Sequence, residues 1–347
     1  ITVEACTPIV EIEKILEKNN QQLGFEPIDF GFIENSKSNK GTAAGYLSTN
    51  FSGSRRFKVG SVRDHVLGFR GINGKGDIIK SGGTVVKNVT GYDLSKLVTG
   101  SFGTLVALTE ITFKVLPKKT FSNTVAVHTD ELKIITDYFD KLLSSSNEIS
   151  GSVYVPEEPK NKNYNFNREK IFKFNDLKYK GAFLAFRIEG AKQSIEERIN
   201  DISKELELKK MKISRLDSHQ SFLFWEKINN LELFAGTKNN LLRVVIPPSK
   251  SLDLMKYLKN ELKYYIDWCG SLFWIEVLES DLMRIKKIKE NVVSLGGYLT
   301  IVKKSESFSK DEDIFTIDNT RLLISAKIKE SFDPKRILNP GKMYREI

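Results

Sequence analysis

Apolar positions recur along the chain at two spacings, and the change between them falls near Pro117. Residues 1–5 predict a strand. Thr7-Pro8 then predicts a helix N-cap with proline at the first helical position, and Ile9, Ile12 and Leu16 share one face of a helix ending at Asn19 or Asn20. Residues 66–72 and 77–80 predict a hairpin around Asn73-Gly74-Lys75-Gly76. Tyr92-Asp93 predicts the start of a short helix closing at Gly100, with Asp93 near its N-terminus; residues 105–108 and 111–116 predict two strands. Beyond Pro117 longer helical stripes alternate with strands. Residues 182–188 predict a strand, Ile195, Ile199, Ile202 and Leu206 a helical face, and 211–216 a returning strand. A second cycle places strands at 241–246, 266–268 and 272–278 with a helix over 252–262. Leu282, Ile285, Ile288, Val292 and Leu295 then mark a helix stopped by Gly296-Gly297, before a strand over 297–302. Two such cycles of similar length predict helices on an antiparallel sheet of ferredoxin-like type.

A chain of 347 residues exceeds one typical core, so two domains are expected, at 1–117 and 118–347. No run of about 18 apolar residues suggests a membrane span, and no basic-then-apolar leader is present. The chain opens on Ile1 rather than Met, which suggests a partial sequence. Cys6 and Cys269 are its only cysteines, too few for a disulfide framework or a cysteine-ligated iron–sulfur site, and they point to a reducing cytoplasm. The net charge of +10 admits nucleic acid, an acidic partner or the anionic inner membrane face. The lysines are scattered rather than gathered into one patch. That favours no nucleic-acid partner, and leaves peripheral membrane contact as the alternative to a purely cytoplasmic place. The polar stretch 160–180 reads as a surface excursion.

Candidate chemistry gathers between Gly41 and Thr109. Thr42-Ala43-Ala44-Gly45, Thr49-Asn50-Phe51-Ser52-Gly53 and Gly60-Ser61-Val62-Arg63-Asp64 alternate small residues with hydroxyls. Small residues let backbone approach a pyrophosphate, and hydroxyls add donors. Neither G-x-G-x-x-G nor G-x-x-x-x-G-K-[ST] occurs, so a phosphate-cradling surface and a glycine-rich structural loop set both stand.

These motifs resemble the FAD domain of the vanillyl-alcohol-oxidase, or PCMH-type, flavoproteins. The resemblance rests on Ser52-Gly53-Ser54-Arg55-Arg56, on the run from Gly60 to Gly68, on Gly82-Gly83, and on the run from Val86 to Leu94. It continues through Gly100-Ser101-Phe102-Gly103-Thr104-Leu105, Phe332-Asp333-Pro334 and the run from Leu338 to Tyr344. The Arg-Arg pair, Gly-Ser-Phe-Gly and Ile266-Asp267-Trp268 with Gly270 and Trp274 are similar to the FAD-binding subunits of glycolate oxidases. The resemblance implies an α+β protein: the second subdomain of a PCMH-type FAD-binding domain, then a ferredoxin-like α+β C-terminal domain. It implies FAD as cofactor and places Thr42, Ala44, Gly45, Gly53, Gly60, Ser61, Asp64, Gly103 and Leu108 along it. Ala44 and Val106 stand where the family has glycine, and Asn339 lies in a terminal motif weighted as structural. FAD domains of this kind begin with a glycine-rich pyrophosphate loop. Ile1 aligns after it, which implies a longer parent with roughly 50–60 more residues.

Catalytic residues are not assigned. The related 2-hydroxy-acid dehydrogenases use a His-rich metal motif, whereas His65, His128 and His219 form no H-x-H or H-x-x-x-H pair, and no metal site is expected. His65 inside the FAD-domain motif suits packing or hydrogen bonding. Arg55-Arg56 suits either an anion or a surface ion pair. Trp225, Trp268 and Trp274 suit a core or interface, and Asp267 has no visible acid–base partner. Three functions fit. The first is an accessory FAD subunit of a glycolate-oxidising complex, beside a catalytic flavin-bearing paralogue and an iron–sulfur subunit. The second is a self-sufficient FAD-linked 2-hydroxy-acid dehydrogenase. The third is a non-redox scaffold with a degenerate FAD site.

Overall fold

The computed structural model describes residues 1–34, 40–85, 91–165, 171, 172, 174, 181–308 and 313–345. The chain forms two compact units. The first holds Ile1–Gly31, Lys37–Lys118 and Asp311–Ile347; the second holds Phe32–Ser36 and Lys119–Lys310. The chain therefore enters the second unit briefly at Phe32–Ser36 and again after Lys118, and its last segment returns to the first unit. A single boundary after Pro117 places residues 311–347 in the second unit; the structure puts them in the first. The return is held by a buried lysine–aspartate pair, described below.

In the first unit β1 (Thr2–Glu4) lies at the edge of a four-stranded sheet of order β1-β5-β3-β4. The expected hairpin is β3 (Val66–Asn73) with β4 (Ile78–Gly82), antiparallel. Residues 105–116 do not form two comparable strands. One long strand, β5 (Val106–Phe113), pairs with both β1 and β3, and the short β6 (Val115–Pro117) pairs with β2 (Gln21–Leu23). Thr109 and Glu110 look like a break in sequence, yet the β3 partner accommodates them through register shifts. Helix α1 (Ile9–Lys18) buries Ile9, Ile12 and Leu16, as its spacing predicts. They join Phe25, Tyr46, Phe69, Ile111 and Phe113 in the core of this unit. The cap is Pro8, not Thr7, and no side chain caps the helix; instead the amide of Ile9 donates to the Gly41 carbonyl at 3.0 Å.

The second unit is one eight-stranded antiparallel sheet of order β10-β7-β9-β8-β12-β13-β11-β14. Its first half runs β7 (Phe121–His128), α6 (Leu132–Leu143), β8 (Ile149–Val155), β9 (Phe183–Gly190), α7 (Lys192–Leu208) and β10 (Lys212–Leu216). Its second half runs β11 (Asn240–Val245), α9 (Ser251–Leu258), β12 (Lys263–Asp267), β13 (Leu272–Val277), α10 (Leu282–Ser294) and β14 (Tyr298–Lys303). Each half is a βαββαβ ferredoxin-like repeat, and the two join edge to edge where β8 meets β12. Of the two cycles expected, the first gains β7, α6 and β8. Strand β8 is buried throughout and β7 over its centre, so their alternation is weak in sequence. Helix α8 (Ser218–Asn229) covers the sheet face that carries Thr124 and Arg187, since its Trp225 stacks on Arg187 at 4.7 Å and donates to the Thr124 hydroxyl at 2.8 Å. Trp225, Trp268 and Trp274 are all core residues, each about 1% exposed. The polar excursion expected at 160–180 lies largely outside the described residues, as do residues 86–90 of the FAD-like motifs.

Candidate functional site

The small-residue loops converge in the first unit because each one terminates another. Helix α2 (Ala43–Thr49) is capped by Thr42, whose hydroxyl accepts from the Gly45 amide at 3.3 Å. The Ala43 and Ala44 amides donate to the carbonyls of Thr7 and Ala5, at 3.0 and 2.9 Å. The first-turn amides are therefore engaged within the chain. What this end of α2 presents is the Thr42 hydroxyl and bare backbone. A Cβ on Gly41 would meet nothing within 4 Å, and one on Gly45 only the Thr42 hydroxyl at 3.5 Å. Close approach of a ligand, rather than amide donation, is what this segment offers.

Asn50, left-handed at φ 54°, turns the chain out of α2 towards the short α3 (Arg56–Val59). Its side-chain oxygen accepts from the Arg63 amide at 3.0 Å, and the Ser52 hydroxyl accepts from the Val62 amide at 3.1 Å. Both contacts fix the start of α4 (Val62–His65) against the 50–53 loop. Gly53 donates its amide to the carbonyls of Phe25 and Glu26 at 3.0 and 2.9 Å. Ser61 and Asp64 form a capping box: the carboxylate accepts from the Ser61 amide at 2.8 Å and its hydroxyl at 2.9 Å. Burial alone would raise the Asp64 pKa, but these two bonds and the cations of Lys96 and Arg63 outweigh it and hold it below the ordinary value. Gly60 sits at φ 93°, where a Cβ would lie 2.8 Å from that of Asp64. Asp64 is thus a helix cap.

The 99–104 turn packs on the other end of α2, with the Gly100 and Phe102 amides donating to the Leu47 and Ser48 carbonyls at 2.9 and 2.8 Å. Asp93 caps α5 (Leu94–Val98) just before it, as its position predicts. Gly103, at φ 70°, lies under Asn339, whose amide donates to the Phe102 carbonyl at 2.9 Å. Ser101 is 7% exposed and its hydroxyl has no partner among the described residues. With Gly100, Thr104, Lys329 and Tyr344 it lines a cleft of about 170 Å³. Leu108 lies apart from this cluster, half-buried on β5 opposite Gly71. Val106, in place of the family's glycine, is matched by Gly71, where a Cβ would come within 2.4 Å of the valine methyl.

The histidines are accounted for structurally. His65 is 2% exposed, hydrogen-bonds the Val59 carbonyl at 3.0 Å and lies against Gly24, where a Cβ would strike its ring at 2.3 Å. Burial, ahead of the nearby charges, lowers its pKa and favours the neutral ring. His128 bonds the Ser214 hydroxyl at 2.8 Å, and His219 is exposed in the first turn of α8. Among the described residues no group of His, Cys, Asp and Glu is disposed to hold a metal ion. Arg55, largely covered, pairs with the buried Glu26 at 3.4 Å, so the pair is mostly internal rather than a solvated surface one. Asp267 accepts from the Trp268 amide at 2.6 Å at a turn where Trp268, Cys269 and Gly270 are all left-handed. No helix of the described chain is long and apolar enough to cross a membrane.

The pair that sequence reading missed is Lys329 with Asp333. Both are buried at the end of α11 (Asn319–Phe332) and 2.7 Å apart, and a lysine four residues before Asp-Pro on a helix is the signal that could have revealed it.

No protein-family model matches the chain. Glycolate oxidase subunit GlcE of Escherichia coli K12 is 30% identical over the whole of it and 82% of the relative. Glycolate oxidase subunit GlcD of Bacillus subtilis 168 is 25% identical over 87% of the chain and 68% of the relative. An alkyldihydroxyacetonephosphate synthase structure superposes on 98% of the chain with a TM-score of 0.63 at 17% identity, and the VAO-type flavoprotein MtVAO615 of Myceliophthora thermophila on 97% with 0.62 at 11%. The chain spans slightly less than two thirds of these two structures, 63% and 65%. The fold is that of the VAO-type flavoproteins, and the chain belongs to the glycolate oxidase GlcE family of FAD-linked oxidoreductases.

Proposed function

We propose that this protein is an FAD-binding accessory subunit of a complex that oxidises glycolate to glyoxylate. It works beside a catalytic flavoprotein paralogue and an iron–sulfur subunit at the cytoplasmic side, with peripheral contact to the inner membrane. The observation that carries the reading is the similarity to GlcE along the entire chain. The first unit supports a flavin nucleotide there. The bare backbone at Gly41 and Gly45, the Thr42 hydroxyl, the Ser61 region and the 101–104 turn lie on loops that one another's hydrogen bonds hold rigid. In this reading Thr42, Ala44 and Gly45 admit the pyrophosphate closely. Gly53, Gly60, Ser61 and Asp64 shape the loop beside it, and Gly103 and Leu108 border the ring end. FAD, when bound, supplies the two-electron acceptor.

In this reading the chain's own residues shape the cofactor's binding surface, and two titratable groups of the motif loops, Asp64 and His65, are already committed to structure. Asp64 is tied up as a cap, and the neutral His65 is enclosed in the core. Catalysis is therefore assigned to the partner. The test is glycolate turnover with an artificial electron acceptor, by the full-length chain alone and after co-expression with its partner subunits. Turnover only in the complex, abolished when this chain is omitted, supports the reading; turnover of glycolate or lactate by the isolated chain replaces it with the self-sufficient dehydrogenase.

A further inference from the structure

The helix and tail that end the chain return to the first unit around one buried ammonium. Lys329 is 2% exposed and Asp333 is fully buried. An ammonium has three protons and tolerates burial only when each finds an acceptor. All three do. Lys329 donates to the Thr104 carbonyl at 2.8 Å, to the Asp333 carboxylate at 2.7 Å and to the Leu338 carbonyl at 2.7 Å. Asp333 in turn accepts from the amides of Ile337 at 3.1 Å and Leu338 at 2.8 Å. These bonds and the surrounding burial contend over its pKa. Burial, the largest influence, would raise it, but Lys329 and the two amides prevail and hold it below the ordinary carboxylate value.

One residue beyond Leu338, the Asn339 side chain donates to the Phe102 carbonyl at 2.9 Å. The backbone opposite is cleared for these contacts. A Cβ on Gly74 would meet the Asp333 carboxylate at 2.1 Å, and one on Gly103 the Asn339 amide nitrogen at 2.8 Å. The 102–104 turn is thus gripped at two carbonyls by groups more than 200 residues away in sequence. Thr104 and Lys329, bonded to each other, both line the cleft that holds the unpartnered Ser101 hydroxyl.

We propose that Lys329, through Asp333 and with Asn339, is a positioning residue for the flavin nucleotide: it sets the 101–104 turn and the terminal segment as the two walls of that cleft. The inference rests on the FAD reading above. Lys329 contacts no cofactor; it acts by holding a binding surface in its bound shape before the ligand arrives, which lowers the ordering cost of binding.

The test compares FAD affinity of the full-length chain and its variants, by titration of flavin fluorescence well below each protein's unfolding temperature. The visible circular dichroism of bound flavin is recorded alongside. Lys329→Met keeps the stem and deletes the three donors. Asn339→Gly keeps the left-handed backbone (φ 44°) and removes only the contact to Phe102. Lys329→Met is expected to weaken FAD by about tenfold or more and Asn339→Gly by about threefold, with altered circular dichroism of the remaining bound flavin. A merely structural clamp would lower the unfolding temperature and leave affinity and spectrum of the folded protein unchanged. That result, with both folded variants within twofold of the parent, overturns the inference while leaving the FAD reading intact. If Lys329→Met does not fold, Asn339→Gly alone decides by the same criterion. Failure of the unsubstituted chain to bind FAD overturns both.

Discussion

Lys263 and Glu276 pair across β12 and β13 at 2.9 Å, each side chain 3% exposed. Lys263 also donates to the Asn165 carbonyl at 2.7 Å. Lys263→Met deletes the ammonium and leaves a carboxylate buried, which costs about 3–5 kcal/mol when nothing else holds it. Glu276 also accepts from the hydroxyl of Thr237 at 2.5 Å and the amide of Asn239 at 2.7 Å. Two donors remain, so the expected loss is about 3 kcal/mol, the low end. Adding Glu276→Gln removes the charge and keeps an acceptor for both donors, so the double variant should lose only about 1 kcal/mol relative to the parent. Urea unfolding followed by tryptophan fluorescence reads this unit specifically, because Trp225, Trp268 and Trp274 all belong to it. Burial, opposed by Glu276, holds the Lys263 pKa below 10.5. Above that lowered value the unfolded chain binds more protons than the folded one. The parent should therefore gain stability relative to Lys263→Met as pH rises towards 10.5. A double variant as unstable as the sum of the singles would refute the pairing argument, as would a difference that does not move with alkaline pH.

Three further outcomes are expected. Gly82→Ala should destabilise the first unit by about 2 kcal/mol or more, seen as a lower urea midpoint by far-UV circular dichroism, because its φ is +72° and a Cβ would stand 2.0 Å from the Leu67 carbonyl oxygen. Asp64→Ala should cost about 1 kcal/mol, discounted for the exposure of the carboxylate. The folded Asp64 pKa lies below the ordinary 3.8, so that loss should be complete above pH 3.8 and shrink as acid protonates the parent's carboxylate, measured by thermal melts across acid pH. His65 titrates lower when folded, so the unfolded state binds the extra proton first. Parent stability should fall as pH drops below 6.5, a slope that His65→Gln removes in denaturant titrations.

Much of this fold is legible because its helices are amphipathic in the ordinary way. The stripes at Ile9, Ile12, Leu16 and at Ile285, Ile288, Val292 bury as their spacing requires. The β3–β4 turn is likewise marked by Asn73, whose side chain accepts from the Lys75 and Asp77 amides. Strand β8 is illegible because every residue is buried, which erases the alternation that marks a half-exposed strand. The place of α11 is illegible for another reason. Its outer face exposes Leu323 and Ile324; only Ile328 and Phe332 pack on the core, and the one fully buried side chain of the helix is Lys329, with acceptors supplied by Thr104 and Leu338. Long-range hydrogen bonds of that kind leave no local pattern. At the site, the motifs identify which loops meet, but not that the Ala43 and Ala44 amides are already engaged by Thr7 and Ala5.

The proposed binding of FAD by the first unit can be read from the flavin itself. The visible absorption spectrum of the full-length chain, purified after co-expression with its partner subunits and then separated from them, tests this most directly. The two visible bands of an oxidised flavin are expected, with about one FAD released per chain on denaturation, as a single PCMH-type site requires. A colourless chain that takes up no added FAD would contradict it and leave the scaffold reading in its place.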